Sequence, residues 1–120
     1  MSPLLQAALA EVEPLLAARG WTPPGAAVLR EAQALLDATA MAWPAPAVAV
    51  EPDGAVALEW EAAGRGWLKL SVRGRGELAH EAVIGGDEFE QAEPWTAAPD
   101  AAALPGWAHE LLRRLWPCDA

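Results

Sequence analysis

The chain has 120 residues, of which 53% are hydrophobic and 21% are charged, and its formal net charge is −9. This length and composition predict one folded domain and exclude a disordered chain. The negative charge argues against direct binding to nucleic acid or to an anionic membrane, because either surface would repel the protein. Cys118 is the only cysteine, which excludes an intrachain disulfide.

The first residues, MSPLLQAALAEVEPLL, lack a basic start, and Gln6, Glu11 and Glu13 interrupt their apolar positions. They are therefore not expected to act as a signal peptide. The longest uncharged run lies between Asp37 and Glu51 and contains two prolines, so it is not expected to span a bilayer. We expect a soluble, cytoplasmic protein without a membrane partner.

Residues 1–43 are predicted to be helical. Ser2-Pro3 is a natural cap and first-turn pair for the first helix, and Gly20 ends it. Pro14 is expected to kink or split this helix because it removes a backbone donor. Thr22-Pro23 is predicted to open the second helix. The apolar face of this second helix contains Val28, Leu29, Ala32, Leu35, Leu36 and Thr39.

In residues 46–84 the helical spacing of apolar residues gives way to strict alternation, which predicts a meander of four antiparallel strands. Pro52-Asp53-Gly54 has the residues of a three-residue hairpin loop, with glycine in the left-handed position. The segments AAGRG and GRG are predicted to form the next two turns.

These turn lengths predict a register for the meander, with Val50 opposite Val56 and Leu70 opposite His80. One face of the sheet is then apolar across four strands, as a half-buried sheet requires. Charges of opposite sign meet on the other face, which supports this register. One such row contains Glu59, Lys69 and Glu81.

Residues 85–104 are polar, and we predict an acidic loop there. Residues 105–117 are predicted to form a C-terminal helix that Pro117 stops. The expected fold is α+β: two N-terminal helices, a four-stranded antiparallel meander and a C-terminal helix, with the helices on one face of the sheet.

The residues Gly85–Phe89 spell GGDEF, the motif that names the diguanylate cyclases. This resemblance implies that Gly85 and Gly86 bind nucleotide and that Asp87 and Glu88 are the functional acids. It covers five residues, and the chain lacks both the upstream D-x-D-x-F-K segment and the apolar strand after the motif. We interpret the match as coincidental and the glycines as a turn that leaves a strand.

Metal binding and nucleophilic catalysis find little support in the sequence. HELLR, which begins at His109, nearly matches H-E-x-x-H, but Arg113 stands at the second ligand position and cannot bind zinc. His80, the other histidine, is expected to point into the core. No G-x-S-x-G or Cys-His arrangement occurs. We predict no catalytic residue, no metal and no cofactor.

Two features indicate a surface that binds a protein partner. The stretch between Arg75 and Arg113 contains many acidic residues and no lysine or arginine, which suits a basic partner. On the outer sheet face Trp67 is expected to be exposed between Glu61 and Val83, as in an interaction hot spot, unless the segment containing Trp95 covers it. The predicted partner-binding residues are Trp67, Val83, Glu59, Glu61, Glu81, Asp87, Glu88, Glu90 and Glu93.

The run VAVEPDGAVALEWE resembles a P-D-G-x-x-x-L-E-W hairpin of small uncharacterised bacterial proteins, some encoded near toxin–antitoxin or mobile-element genes. The resemblance implies no catalytic residue and favours an accessory or interaction role.

The sequence favours a non-enzymatic, acidic protein-binding module, such as a bacterial or phage inhibitor or an accessory protein that acts on a basic protein surface. Two alternatives stay open. One is a small enzyme that uses Glu and His in a pocket between sheet and helices, which requires a buried carboxylate beside His80 or His109. The other is a homodimer whose interface is the Trp67 face.

Overall fold

A computed structural model describes residues 1–40, 42–97 and 104–117. Its five strands form one antiparallel sheet in the order β1-β2-β3-β4-β5, and three helices complete an α+β fold. The elements are α1 (Pro3–Arg19), α2 (Ala26–Thr39), β1 (Ala47–Val50), β2 (Val56–Ala62), β3 (Gly66–Val72), β4 (Glu77–Ile84), β5 (Asp87–Pro94) and α3 (Gly106–Leu115). Among the residues so described, no helix is long and apolar enough to cross a membrane.

Helix α1 begins and ends where the sequence predicts. The Ser2 hydroxyl accepts a hydrogen bond from the Leu5 N–H at 3.3 Å, and Gly20 takes the left-handed conformation with φ +65°. The helix nevertheless continues through Pro14, so the split expected there does not occur. Pro14 and the residue one turn earlier, Ala10, are both exposed, and water can therefore satisfy the carbonyl that loses its partner.

Helix α2 begins at Ala26, three residues after the predicted Thr22-Pro23 start. The Thr22 N–H instead donates to the Pro52 carbonyl at 2.9 Å, which ties the segment before α2 to the first hairpin turn. Gly25 is the N-cap and has no side chain that could bond the first turn.

Glu31 of α2 holds the turn between β3 and β4. Its carboxylate accepts the Gly74 N–H at 2.8 Å and the Gly76 N–H at 3.1 Å. The Glu31 residue is only 6% exposed, so these two bonds compensate for burying its charge. An added Cβ at Gly74 would lie 3.1 Å from the Val28 nitrogen, which explains why glycine stands where this turn meets α2.

The predicted register of β1 to β4 is confirmed, with Val50 opposite Val56 and Leu70 opposite His80. Lys69 lies between Glu59 and Glu81, as predicted. Its ammonium nevertheless forms an ion pair with neither of them. It lies 3.5 Å from the carboxylate of Glu51, because the long lysine side chain reaches the start of the hairpin loop.

A fifth strand is the main departure from the sequence prediction, which assigned residues 85–104 to an acidic loop. Gly85 and Gly86 have φ of +59° and +88° and form a two-residue turn, after which β5 runs antiparallel along β4. Phe89 is the only large apolar residue of β5, so the alternation that reveals the other strands is hidden here. Residues 98–103 of the predicted loop lie outside the described residues.

The core lies between the helices and one face of the sheet, here called the inner face. In β2, β3 and β4 the residues that point to this face are almost all buried together with the apolar faces of α1, α2 and α3. Trp60 is 1% exposed and its indole N–H donates to the Pro44 carbonyl at 2.9 Å. Trp95 is also buried in this core, so it does not cover Trp67 on the opposite face.

Two arginines fasten α3 to the hairpin turns. The Arg65 guanidinium, in the turn between β2 and β3, donates to the Leu115 carbonyl at the end of α3. Arg114 of α3 donates to the Ile84 carbonyl at 3.2 Å and to the Asp87 carboxylate at 3.0 Å. The end of the sheet that carries the Gly85–Gly86 turn is therefore held by the last turn of the helix.

We expect the substitution Glu31→Gln to lower the free energy of unfolding by about 1–3 kcal/mol, because a neutral amide has one oxygen to accept the two backbone N–H groups that the carboxylate now binds. Urea unfolding followed by circular dichroism measures this change. Glu11→Gln, which alters an exposed carboxylate of α1, is the matched control and should change stability little. Equal stability of the Glu31→Gln variant and this control would show that the carboxylate does not hold the turn.

Candidate functional site

The candidate site is the face of the sheet that points away from the core, here called the outer face. Strand side chains alternate between the two faces, so the outer face receives every second residue. Its principal residues are Glu59 and Glu61 of β2, Trp67, Lys69 and Ser71 of β3, Ala79, Glu81 and Val83 of β4, and Glu88, Glu90 and Ala92 of β5.

The outer face is strongly acidic. Its glutamates are all exposed, and within residues 1–40, 42–97 and 104–117 none of them forms an ion pair or a side-chain hydrogen bond. Lys69 is the only lysine or arginine in the five strands, and its charge is already matched by Glu51. Among the principal residues of this face, the unpaired carboxylates are those of Glu59, Glu61, Glu81, Glu88 and Glu90.

Two of these carboxylates face each other directly. Glu81 of β4 is the register partner of Glu90 of β5. Ile84 and Asp87 flank the two-residue turn, so strand alternation makes Glu81 and Glu90 a pair without backbone hydrogen bonds between them, in which side chains approach most closely. The Cβ atoms of such a pair lie about 4.5–5.5 Å apart, and like charges at this distance destabilise a sheet.

A groove of about 410 Å³ lies beside this pair. Ser71, Ala79 and Ala92 occupy neighbouring strands and form its floor with their small side chains, whereas Glu81 and Glu90 stand at its rim. Such a groove has room for the apolar stem of a long side chain and presents carboxylates to a positively charged end.

The structure separates the residues predicted to bind a partner. Trp67, Val83, Glu59, Glu61 and Glu81 share the outer face, as predicted, and Glu88 and Glu90, which were assigned to a loop, join them there from β5. Asp87 and Glu93 point to the other side, because each pairs with an inner-face residue of β4. Asp87 binds the Arg114 guanidinium at 3.0 Å, and Glu93 accepts the indole N–H of Trp107. These two residues therefore do not share the outer face with the others, and their part in binding a partner stays a prediction.

Trp67 lies between Glu61 and Val83, as predicted, but the expectation that it is exposed is wrong. Both Trp67 and Val83 are half-buried. The reason is the position of β3 in the middle of the sheet, where the side chains of β2 and β4 flank the indole on the same face. A partner at the outer face could therefore contact only the exposed part of the Trp67 and Val83 side chains and not the whole indole.

His80 is a buried titratable group of the core. It is 7% exposed, its ring stacks on Trp107 with centroids 4.1 Å apart, and among the described residues its Nδ1 has no hydrogen-bond partner. Burial lowers the pKa of His80 below its ordinary value, and the nearby charge of Glu93 opposes this shift. His80 is therefore the buried core histidine that the sequence predicts.

The enzyme alternative requires a pocket that joins such a histidine to a carboxylate. The groove that His80 lines is on the outer face, toward which its neighbours Ala79 and Glu81 point, whereas the His80 side chain points to the inner face. The groove thus does not bring the imidazole and the rim carboxylates together. No group of three His, Cys, Asp or Glu side chains suited to a metal ion occurs among the described residues.

A second cleft, of about 450 Å³, lies where the start of α2 meets the turn after β3. Arg73 lines it, but its guanidinium is bound to Asp53 at 3.1 Å. The N–H groups of Gly74 and Gly76 are bound to Glu31. Because its main donors already have partners, this cleft is the weaker candidate.

Sequence reasoning missed the floor of the groove. Ser71 and Ala79 could have been placed there from the predicted register, because both are small residues opposite each other on the outer face. The position of Ala92 and the opposition of Glu81 and Glu90 could not be predicted from the sequence, because both depend on the pairing of β5 with β4.

The lowered pKa of His80 makes stability depend on pH. The unfolded chain binds the proton near the ordinary value of 6.5, above the pKa of the folded state, so stability is full above this value and is lost as the pH falls toward the folded pKa. We expect the stability of the wild type relative to His80→Phe to decrease as the pH is lowered from about 8 to about 5. Urea unfolding at several pH values tests this, and a difference that does not change with pH contradicts it.

A scan against models of protein families finds no match, and searches of curated proteins and of solved structures find no significant match either. The resemblance of the first hairpin to small bacterial proteins therefore stays a prediction, and the function of the chain has to be argued from its own geometry.

Proposed function

We propose that this chain is a binding protein that uses its outer face to hold a basic surface of another protein. The observation that carries the proposal is the opposition of Glu81 and Glu90 at the rim of the groove, where neither carboxylate forms an ion pair in the described part of the chain. Lys69, the register partner of Glu81, also lines the groove, but its ammonium is bound to Glu51. A lysine or arginine placed between these carboxylates would turn a repulsive pair into an attractive triad.

The shape of the site supports a side chain of this kind. The small residues Ser71, Ala79 and Ala92 leave space for an aliphatic stem, and the carboxylates at the rim receive its charged end. Glu59 and Glu61 extend the negative surface across β2, and successive carboxylates on one strand face lie about 6.8 Å apart. A partner with several basic side chains would thus find several sites in one plane.

The formal net charge of −9 adds a long-range contribution to this local arrangement. Opposite charge on the partner raises the rate of association, and salt screens this attraction over a Debye length of about 8 Å at physiological ionic strength. An inhibitor or accessory protein that covers a basic surface would act through this combination of steering and local pairing.

The same charges disfavour the homodimer alternative on this face. A two-fold dimer places the same patch on both sides of its interface. The unpaired glutamates of one copy would then meet those of the other, which costs free energy that Lys69 alone does not offset. The outer face is therefore better suited to a different protein than to a second copy.

We expect the double substitution Glu81→Gln/Glu90→Gln to weaken partner binding by about tenfold or more, because it removes the paired carboxylates and keeps the shape of the groove. Affinity capture from a lysate of the source organism, identification by mass spectrometry and calorimetry with the purified partner measure this effect. The control Glu11→Gln/Glu13→Gln removes the same charge from exposed positions of α1. Equal weakening by both double substitutions, or none by Glu81→Gln/Glu90→Gln, contradicts the proposal.

We also expect Glu81→Gln/Glu90→Gln to raise the free energy of unfolding by about 0.2–1 kcal/mol, because it removes a like-charge pair that faces across two strands. Urea unfolding at low ionic strength measures the change, and added salt should reduce it. A variant that is less stable than the wild type would mean that the two carboxylates serve the fold and not a partner.

A further inference from the structure

Strand β5 forms one edge of the sheet. It pairs with β4 along its eight residues, and no other described strand lies beside it. An edge strand presents a row of backbone N–H and C=O groups that a further strand can bind.

The turn between β4 and β5 determines which of these groups point outward. Ile84 and Asp87 flank the two-residue turn, so they exchange backbone hydrogen bonds with each other. Every second residue of β5 after Asp87 likewise exchanges backbone hydrogen bonds with its partner on β4. The Trp95 N–H, which donates to the Gly76 carbonyl at 2.8 Å, continues this alternation beyond the end of β5. The N–H and C=O groups of Glu88, Glu90 and Ala92 therefore point away from the sheet.

The composition of β5 indicates which kind of strand fits this edge. Four of its residues, Asp87, Glu88, Glu90 and Glu93, are acidic and none is basic. A second copy of β5 would place carboxylates beside carboxylates, so these charges protect the edge against self-association. The same charges attract a strand that carries lysine or arginine.

The two faces of β5 make different demands on such a strand. On the inner face the carboxylates already have partners, since Asp87 binds Arg114 and Glu93 accepts the Trp107 N–H. Phe89 on that face lies 5.6 Å from the Arg114 guanidinium. On the outer face Glu88 and Glu90 have no cationic partner among the described residues. Free negative charge is thus available on one side of β5 only.

We propose that the edge of β5 accepts an extended segment of the basic partner as a sixth, antiparallel strand, with lysine or arginine at every second position. This inference rests on the proposed function and assigns a second contact to the same partner. The basic side chains would lie on the outer face beside Glu88 and Glu90, where they also reach the groove. The intervening side chains would be uncharged and would lie beside Phe89 and Gln91. This recognition is strand addition, in which the backbone contributes affinity and alternate side chains contribute specificity.

The probe for this inference is an eight-residue peptide of alternating lysine and threonine, which matches the length of β5. In an antiparallel pairing its lysine residues direct their N–H groups at β5, so N-methylation at the lysines removes these bonds without changing the charge. We expect calorimetry to show binding of the unmodified peptide, a loss of about tenfold or more on N-methylation at the lysines, and little loss on N-methylation at the threonines. Absence of binding, or equal effects of the two methylations, overturns the inference.

Variants of Ala92 test the same edge from the side of the protein. Ala92→Pro removes an outward N–H group, which the fold tolerates at an edge strand because that group does not bond β4. Ala92→Ser keeps the N–H group and is the matched control. With both folds verified by circular dichroism, we expect the peptide to bind about tenfold more weakly to Ala92→Pro than to Ala92→Ser. Equal binding to the two variants overturns strand addition.

The two proposals can fail separately. If Glu81→Gln/Glu90→Gln weakens binding of the purified partner while Ala92→Pro and the methylated peptides have no effect, the outer face binds the partner and the edge of β5 does not. If neither the carboxylate substitutions nor Ala92→Pro weaken partner binding, both proposals are wrong. Slower amide hydrogen exchange at Glu88, Glu90 and Ala92 in the presence of the peptide would locate the added strand directly.

Discussion

The fold depends on one constraint, which is the burial of a single face of the sheet under the helices. Leu68, Leu70 and Val72 of the central strand are all fully buried on that face. A shift of one residue in any strand would turn its apolar side chains to solvent, so the register is strongly determined. The charged residues of β2, β3 and β4 have to take the other face. The concentration of charged residues on the outer face is therefore a direct consequence of how the core is built.

The register of the first four strands could be predicted because turn chemistry and alternation point to the same pairing. The loop Pro52-Asp53-Gly54 and the glycines of the next turns leave little freedom in how the strands align. Strand β5 could not be predicted in this way. Its one large apolar residue, Phe89, lies among carboxylates, so β5 shows no apolar alternation. The only local indication of this strand is the turn formed by Gly85 and Gly86.

Side-chain partners were harder to predict than strand positions. The separation between Glu31 and the turn it holds is 43 and 45 residues, and no local pattern reveals such a contact. The ion pair of Lys69 with Glu51 could not be predicted either, since a long side chain can reach beyond the two cross-strand neighbours in its own row. The division of β5 into occupied carboxylates on one side and free ones on the other likewise depends on α3, which supplies Arg114 and Trp107.

The attachment of α3 to the last hairpin affects the thermodynamics of any association at β5. Arg114 holds both sides of the Gly85–Gly86 turn, and the Gly85 N–H is itself bound to the Arg65 carbonyl at 3.0 Å. These hydrogen bonds order the start of β5 before a partner binds. The entropy cost of association then falls mainly on the incoming segment, which favours a partner whose segment is already extended.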